Sequence, residues 1–594
     1  MTEPADRPVG ITKGPGETIH EYTFISRDEQ RLLKNGEYVY YELDAAPMGD
    51  LSPSPSPARG GGPEKPIPAR GGGPDIPRRV LGRIMRRVPV QLYPDTFLSE
   101  PEVAPSQVAA LVGYDARTND LFELHVAIMG YYDPRLATFV NPWIPPQSGT
   151  PIFLASDDLL ASVVSQKRAG AQGSAAIGSL LTRPEGAVPI VLDVNELVST
   201  HLAIIASTGA GKSYLASVII EELMRPNNRA AVLIVDPHGE YGTLQELPNF
   251  EEFAETDDAQ NARRPRSRYR PQVQVKLHDQ VKVRLSTLDL GDLRHLLPDM
   301  TEKQHYLLGR AYNAMKRDKS RLHWSADDLK RAVKAVAHEQ NDDMGDENVG
   351  STVAALNWKI DTRFNENSFV FHPTQQLGLA EIFKPGQCTV LQLDEVDDRD
   401  QQVIVATLLR RVYHARMETE RGKTQPGDEA HLPYPVFVLI EEAHHFAPHG
   451  QEVVSSRQLR TVLSEGRKFG IGVGLITQRP GKLDPDVLSQ CLTQCIMRIV
   501  NDVDQKSVAT AVEGVGHDLL DNLPALSKGQ AVIAGSAVNT PVICRVRSRV
   551  TPHGGESKDA TAEWLRQFDG EVVAARTRDS APIARDDKGF SMFR

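Results

Sequence analysis

The octapeptide ASTGAGKS, Ala206 to Ser213, has the residue types and spacing of a phosphate-binding loop. Its glycines leave backbone N–H groups free to face phosphate oxygens, and the helix predicted to begin there adds the partial positive charge of its N-terminus. Lys212 is predicted to reach the β- and γ-phosphates of ATP, and Ser213 is predicted to bind Mg²⁺. Ala206 replaces the usual first glycine, so the backbone at that position must adopt a conformation that is open to residues other than glycine.

The sequence around this loop supports the same interpretation. The strand-like run LAIIA precedes it and the helix-like run SYLASVIIEEL follows it, which is the context that such a motif requires. A chance glycine turn would not explain strand, turn, Lys-Ser and helix together. The residues predicted to bind ATP are Ser207, Thr208, Gly209, Ala210, Gly211, Lys212 and Ser213.

Two adjacent carboxylates, Glu441 and Glu442, end the apolar run FVLI. In P-loop ATPases an acidic residue at the end of a second strand holds Mg²⁺ through water, and a following glutamate can polarise the attacking water. Because neighbouring side chains on a strand point to opposite faces, we expect Glu441 to face the metal and Glu442 to act as the general base. A solvated acidic turn is the alternative, but it would not explain why the pair ends so apolar a strand.

A third segment, SEGRKFGIGVGLITQRP, contains two further candidates. Gln478 follows the strand pattern, at the edge where ligands bind in parallel sheets, and is predicted to sense the γ-phosphate or the water. Arg467 precedes the same strand and lies at the opposite edge. If Arg467 takes part in catalysis, it must act on a neighbour's nucleotide, which requires a ring or another head-to-tail assembly. A surface arginine at a helix C-terminus is an equally good interpretation.

The elements that must position these residues alternate between apolar strands and helix-like runs from about residue 181 to residue 550. This pattern predicts an α/β core with a parallel sheet covered on both faces. Residues 290–385 are mainly helix-like and are predicted to form an insertion. Residues 1–180 are strand-rich and predict a separate β domain. A Pro/Gly-rich segment at about 50–77 is predicted to be a disordered loop within that domain, or alternatively a linker, and residues 551–594 a polar tail.

The bulk properties narrow the class of protein. Four cysteines form no disulfide framework, and no apolar run approaches the ~20 residues of a membrane helix. We therefore expect a cytoplasmic protein with no membrane contact. The net charge of -11 excludes a wholly basic surface. The run ARRPRSRYRP, Ala262 to Pro271, is the best local candidate for DNA binding, although a solvated loop is slightly favoured.

Several of these segments together resemble the HerA family of hexameric DNA-translocating ATPases, which are relatives of FtsK. The resemblance is carried by ASTGAGKS, VDPHGEY (Val235 to Tyr241), EEAHHF (Glu441 to Phe446), GRKFG (Gly466 to Gly470) and TQRP (Thr477 to Pro480), with LSQC and RIVNDVD after them. It implies a small N-terminal β-barrel, a RecA-like core with a helical insertion, and a homo-hexamer around duplex DNA.

The resemblance also implies partners, because family members work with a NurA-like nuclease or with other effectors in phage defence, such as sirtuin-type NAD hydrolases. We therefore expect an ATP- and Mg²⁺-dependent motor on duplex DNA, acting in DNA end processing or phage defence. The alternative is an ATP-dependent ring scaffold that assembles and regulates an effector with little translocation. The segment LSKGQ suggests an ABC-type ATPase. In that class the signature segment precedes the acidic strand, whereas here it follows that strand by about 85 residues, so this class is excluded.

Overall fold

The structure is a computed structural model. It describes residues 7–16, 18–28, 30–43, 78–90, 120–133, 136, 138–254, 269–318, 323–344, 349–365, 368–512, 516–552 and 560–568. The Pro/Gly-rich segment and most of the basic run, through residue 268, lie outside these ranges, so the predictions made for them are not tested.

The N-terminal strands form a small closed barrel. Six strands follow the order β2-β1-β7-β3-β4-β5, with β5 pairing back to β2, and β6 adds to β5. Buried and partly exposed side chains alternate along β2 and β5 because one face of each strand lines the interior. The expected β-barrel is therefore confirmed. The strands are β1 (Pro8–Pro15), β2 (Glu21–Ser26), β3 (Tyr38–Leu43), β4 (Arg78–Pro89), β5 (Phe122–Asp133), β6 (Thr138–Val140) and β7 (Pro151–Leu154).

The core is built on one eleven-stranded sheet. Its order is β12-β15-β11-β16-β17-β10-β18-β19-β20-β8-β9. The strands are β8 (Ser174–Leu180), β9 (Pro189–Asp193), β10 (Leu202–Ile205), β11 (Ala231–Asp236), β12 (Gln272–Lys276), β15 (Gln387–Gln392), β16 (Val436–Ile440), β17 (Ile471–Thr477), β18 (Thr493–Ile496), β19 (Gln530–Gly535) and β20 (Val542–Val546), while β13 (Val283–Arg284) and β14 (Phe371–His372) pair separately.

The sheet is parallel where the site lies and antiparallel at one end. The strands from β12 to β18 in the sheet order are mutually parallel, and β19, β20, β8 and β9 continue it in antiparallel fashion. The predicted parallel sheet is therefore confirmed, with an antiparallel extension. β8 falls within the range 1–180 predicted for the β domain, but it pairs with β9 and β20, so the core begins before that boundary.

Helices cover both faces of this sheet. β11, β16 and β17 are buried along their whole length, which explains their continuous apolar sequences. The helices are α1 (Asp157–Val163), α2 (Val194–Thr200), α3 (Lys212–Leu223), α4 (Leu290–Leu296), α5 (Glu302–Arg317), α6 (Ala326–Met344), α7 (Val349–Arg363), α8 (Leu379–Ile382), α9 (Asp398–Glu420), α10 (Val454–Glu465), α11 (Pro485–Ser489), α12 (Asp502–Ala511) and α13 (His517–Leu520).

The helical insertion lies between β13 and β14 and consists of α4 to α7, within the predicted range 290–385. Its first helices begin at strong caps. At α5, Thr301 and Gln304 form a reciprocal capping box, each side chain bonding to the other residue's backbone N–H. At α4, Asp289 and Asp292 do the same.

Residues 553–594 form a separate unit, of which a helix at residues 560–568 is described. Its Trp564, Leu565 and Phe568 are exposed. Among the helices that the structure describes, none is long and apolar enough to cross a membrane.

Candidate nucleotide site

The phosphate loop joins β10 to α3, as its sequence predicts. Gly209 and Gly211 have φ values of +78° and +107°, a region that only glycine adopts without strain. Ala206 is not among the residues with positive φ, so the alanine is compatible with the loop. Its N–H donates to the carbonyl of Thr477, and the N–H of Ser207 donates to the carbonyl of Arg498. The loop is thus fixed to the two strands beside β10.

Lys212 lies among three carboxylates at the carboxyl edge of the sheet. Its ammonium group contacts Glu441, lies 3.3 Å from Oε1 of Glu442 and lies 3.9 Å from Oε2 of Glu240. Glu441 and Glu442 are almost completely buried. The structure therefore brings the predicted phosphate-binding lysine and the predicted acidic pair into one cluster.

The two glutamates do not diverge as strand alternation predicts. β16 ends at Ile440, and Glu442 has φ +50° and ψ 46°, a left-handed conformation that is uncommon for a non-glycine residue. The chain therefore turns between the two glutamates, and both carboxylates reach Lys212. The expectation that they face opposite ways is wrong, because the extended conformation on which it depends ends one residue too early.

The cluster shifts the pKa values of its members in ways that follow from burial and charge. Burial lowers the pKa of Lys212, but the carboxylates of Glu441, Glu442 and Glu240 outweigh it and raise the value to about 12. Burial raises the pKa of Glu441 to about 7, although Lys212 and Tyr241 act in the opposite direction. The lysine thus stays charged at neutral pH.

Glu442 has one carboxylate oxygen turned away from Lys212. This atom, Oε2, is buried and accepts no hydrogen bond from the part of the chain that is described. Nδ1 of His444 lies 3.2 Å from it, and burial lowers the pKa of His444 to about 4, so this ring is neutral at pH 7. A buried acceptor without a donor is costly, and a water molecule beside a phosphate would satisfy it. The free oxygen of Glu442 therefore fits the role of a general base that holds a water molecule.

The segment DPHGEY adds two residues that sequence reasoning did not assign. Asp236 ends β11 and accepts hydrogen bonds from the N–H groups of Glu240 and Tyr241, which folds the segment back on itself. The hydroxyl of Tyr241 then donates to Oε2 of Glu441 at 2.7 Å. The hydroxyl of Ser213 bonds to Glu240. Glu240 and Tyr241 therefore lie beside the predicted metal ligands, and the only signal for them was that the segment itself is shared with the HerA family.

Gln478 reaches the phosphate loop. It follows β17, and its Oε1 accepts a hydrogen bond from the hydroxyl of Thr208 at 2.7 Å. This contact links the end of β17 to the loop, where a γ-phosphate is bound in P-loop proteins. The structure therefore places Gln478 beside the phosphate loop, and its role toward the γ-phosphate or the water stays a prediction.

Arg467 is not part of this cluster. It lies in a short turn, Gly466–Phe469, that precedes β17, at the amino edge of the parallel sheet. The side chain is exposed, and within the described ranges no ion pair involves it. Arg467 is therefore separated from its own phosphate loop by the length of the strand.

A separate zinc or metal-cluster site finds no support among the described residues, where no group of three or more His, Cys, Asp or Glu side chains could hold a metal ion. The four cysteines are free and buried. Hydrated Mg²⁺ needs few protein ligands, so this result is compatible with the Ser213 and Glu441 assignment.

A glycine loop between strand and helix, whose lysine contacts two buried carboxylates that follow the strand two places away in the sheet, places the protein in the class of P-loop ATPases. Comparison with known proteins makes the assignment narrower. The family model for the central domain of helicase HerA matches residues 175–412. A DNA double-strand break repair helicase HerA from Pyrococcus furiosus is 31% identical over 470 residues, which cover 71% of this chain and 78% of that protein. The chain belongs to the HerA helicase family and is an ATP-hydrolysing enzyme.

Two further similarities extend the comparison. The HerA helicase of Sulfolobus acidocaldarius is 28% identical over 449 residues, covering 74% of this chain and 81% of that protein. Among solved structures, VirB4 of Thermoanaerobacter pseudethanolicus matches 64% of this chain and 97% of its own, with 13% identity and a TM-score of 0.44.

Proposed function

We propose that this protein is a ring-forming motor, a homo-hexamer, that hydrolyses ATP to translocate on duplex DNA. One observation carries the proposal. Lys212, Glu441, Glu442 and Gln478 meet at the carboxyl edge of the sheet, whereas Arg467 is exposed at the amino edge. An arginine in that position can complete only a neighbour's site, and a head-to-tail ring supplies such a neighbour.

The residues divide the chemistry among them. The N–H groups of the loop and Lys212 bind the phosphates, and Ser213 and Glu441 hold the hydrated Mg²⁺. When bound, that ion neutralises charge on the phosphate oxygens. Glu442 accepts a proton from the attacking water. Gln478 orients the water or senses the γ-phosphate.

The substrate polymer is inferred from the relatives. Several of them are named DNA double-strand break repair helicases, and we carry that DNA-directed activity over to this chain. We also propose that the protein is cytoplasmic and works with an effector partner. We propose a NurA-like nuclease or a sirtuin-type NAD hydrolase, acting in DNA end processing or in phage defence.

The experiment combines three measurements on the purified chain. Native mass spectrometry gives the number of subunits. ATP turnover is measured with and without linear duplex DNA, and displacement of a triplex-forming strand from that duplex reports movement. A motor shows hexamers, DNA-stimulated turnover and ATP-dependent displacement, with Lys212→Ala inactive in both assays. ATP turnover that DNA does not stimulate, without displacement of the triplex-forming strand, would instead support the ring scaffold that regulates an effector.

A further inference from the structure

The backbone at Glu442 is held in an unfavourable conformation. Its φ of +50° and ψ of 46° lie in the left-handed region, which a residue other than glycine keeps only where its surroundings hold it there. The side chain is almost completely buried. The orientation of its carboxylate therefore depends on the protein groups that contact it.

The two oxygens of this carboxylate face different side chains. Oε1 lies 3.3 Å from the ammonium group of Lys212, and Oε2 lies 3.2 Å from Nδ1 of His444. Lys212 is proposed to bind the phosphates of ATP, and each phosphate contact takes one of the three donors of an ammonium group. A bound nucleotide therefore competes with Glu442 for Lys212 but not for His444. The contact with His444 is the one that can hold the carboxylate while the nucleotide is bound.

The imidazole of His444 also contacts the end of β17. Nδ1 lies 3.2 Å from the hydroxyl oxygen of Thr477, which is the last residue of that strand, and Gln478 comes directly after it. The carbonyl of Thr477 accepts the N–H of Ala206 at 3.2 Å, so this strand end is itself fixed to the phosphate loop. One ring nitrogen thus joins the carboxylate that follows β16 to the strand end that carries Gln478.

The turn that carries His444 is anchored by groups outside the phosphate loop. This turn, Ala443–His445, begins directly after the acidic pair. The carbonyl of His445 accepts a hydrogen bond from Nε2 of Gln402 on α9 at 2.8 Å, and Oε1 of Gln402 accepts one from Nε2 of His295 on α4 at 2.7 Å. The ring of His444 is buried and packs edge-on against that of His445, with 4.5 Å between the ring centroids. The ring is therefore held in place from the side of α9 and the helical insertion.

We propose that His444 is a positioning residue for ATP hydrolysis, which holds the carboxylate of Glu442 at a fixed distance from the end of β17. The distance matters because a general base must lie within hydrogen-bond reach of the water molecule whose proton it takes. This inference deepens the proposed function and rests on the general-base role of Glu442.

The charge of the ring is compatible with this role. Burial lowers the pKa of His444 to about 4, so the ring is neutral at pH 7. A neutral ring orients the carboxylate without cancelling its negative charge, whereas an imidazolium beside it would favour the ionised form and make Glu442 a weaker base.

Two substitutions of His444 separate the ring nitrogen from the volume of the ring. His444→Phe keeps a flat ring and removes both nitrogens, whereas His444→Asn places a polar amide near the position of Nδ1. We expect kcat for ATP to fall at least ~10-fold in His444→Phe with KM unchanged, and His444→Asn to restore most of the loss. A purely structural role predicts the reverse order, because phenylalanine fills the buried volume and asparagine leaves a cavity. His449→Phe, at an exposed histidine in the same segment, is the matched control.

Thr477 tests the other end of the contact and does not require His444 to be changed. Thr477→Val removes the hydroxyl and keeps the size of the side chain, whereas Thr477→Ser keeps the hydroxyl. Thr477→Val should lower kcat more than Thr477→Ser does. In a His444→Phe background, where Nδ1 is absent, Thr477→Val should cause little further loss, because the two changes then remove the same contact.

Combination with Glu442→Gln separates failure of this inference from failure of the proposed function. The rate of single-turnover ATP hydrolysis and the affinity for ATP are measured for Glu442→Gln with and without His444→Phe. If His444 acts through Glu442, adding His444→Phe should not lower the rate further. An equal fold-loss in both backgrounds, parental turnover in His444→Phe, or an Asn variant no faster than the Phe variant would overturn the positioning role alone. Parental turnover in Glu442→Gln would contradict the proposed function, and this inference would fall with it.

Discussion

At the carboxyl edge of the parallel sheet, Lys212 lies among three carboxylates of its own subunit, whereas at the amino edge Arg467 is exposed and forms no ion pair with the part of the chain that the structure describes. The first cation is balanced within the chain, so its position is fixed before any ligand binds. This difference supports the proposal that a single subunit holds most of a catalytic site and that a neighbouring subunit completes it.

Lys212→Ala removes the central cation of the carboxyl edge and is expected to have the largest effect. Turnover should fall to background, since the loop loses its phosphate contact and two buried glutamates lose their counter-charge. ATP turnover and the melting temperature are to be measured together. Lys506→Ala, an exposed lysine on α12, is the matched control. Parental turnover in Lys212→Ala would make the phosphate-loop assignment wrong.

Glu442→Gln is expected to retain ATP binding and to lower hydrolysis by ~10²-fold or more, because the amide cannot accept a proton from water. Glu441→Gln should instead raise the Mg²⁺ concentration needed for half-maximal turnover. Titrations of ATP binding and of Mg²⁺ dependence check both variants. If the two phenotypes are exchanged, Glu441 is the general base and Glu442 the metal ligand. If both variants behave like the parent, the pair is only a solvated acidic turn.

Arg467→Ala tests the amino edge. ATP binding and the ring should persist while turnover falls, because we propose that this side chain acts on a neighbour's γ-phosphate. Its own phosphate loop is out of reach, since β17 spans about 23 Å over its seven residues at ~3.3 Å each. Lys468→Ala, the exposed residue beside it, is the control. Rings mixed from Arg467→Ala and Glu442→Gln chains should regain part of the activity. Undiminished turnover in Arg467→Ala rings would show that Arg467 has no catalytic role and is only a surface arginine at the C-terminus of a helix.

Local signals predicted the carboxyl edge well. The loop residues and Gln478 are each fixed by their position relative to one strand, and a strand can be recognised from a short apolar run. The strand-rich N-terminal domain and the helical insertion could be predicted for the same reason, whereas closure of the N-terminal strands into a barrel was implied only by the family resemblance. These features depend on sequence neighbours, which a single sequence displays.

Features that depend on distant pairing could not be predicted. Glu240 and Tyr241 reach the site because β11 lies beside β16 in the sheet, and nothing in either strand reveals that order. β8 joins the core sheet through β20, more than 360 residues later in the chain. The convergence of Glu441 and Glu442 requires the left-handed turn at Glu442, which burial of the pair stabilises and local sequence does not reveal.

The smallest expected effect concerns His201, a buried residue at the amino edge of the sheet, and is measured through pH. Burial lowers the pKa of His201 to about 4, whereas the residue has a pKa near 6.5 in an unfolded chain. Between these values the unfolded state binds a proton that the folded state does not. The contribution of neutral His201 to stability is therefore complete above pH 6.5 and is lost as pH falls toward 4.

Glutamine does not titrate in this range, so His201→Gln isolates the effect from that of every other group. The parent should lose more thermal stability than His201→Gln when the pH is lowered from 7 to 4.5, and the two melting temperatures should converge. The full linkage corresponds to no more than about 3 kcal/mol. Melting temperatures measured at half-unit pH steps give the comparison. A constant difference between parent and variant across this range would show that His201 gains a proton as readily in the folded protein as in the unfolded chain, which contradicts its burial and the hydrogen bond that Nδ1 accepts from the N–H of Val473.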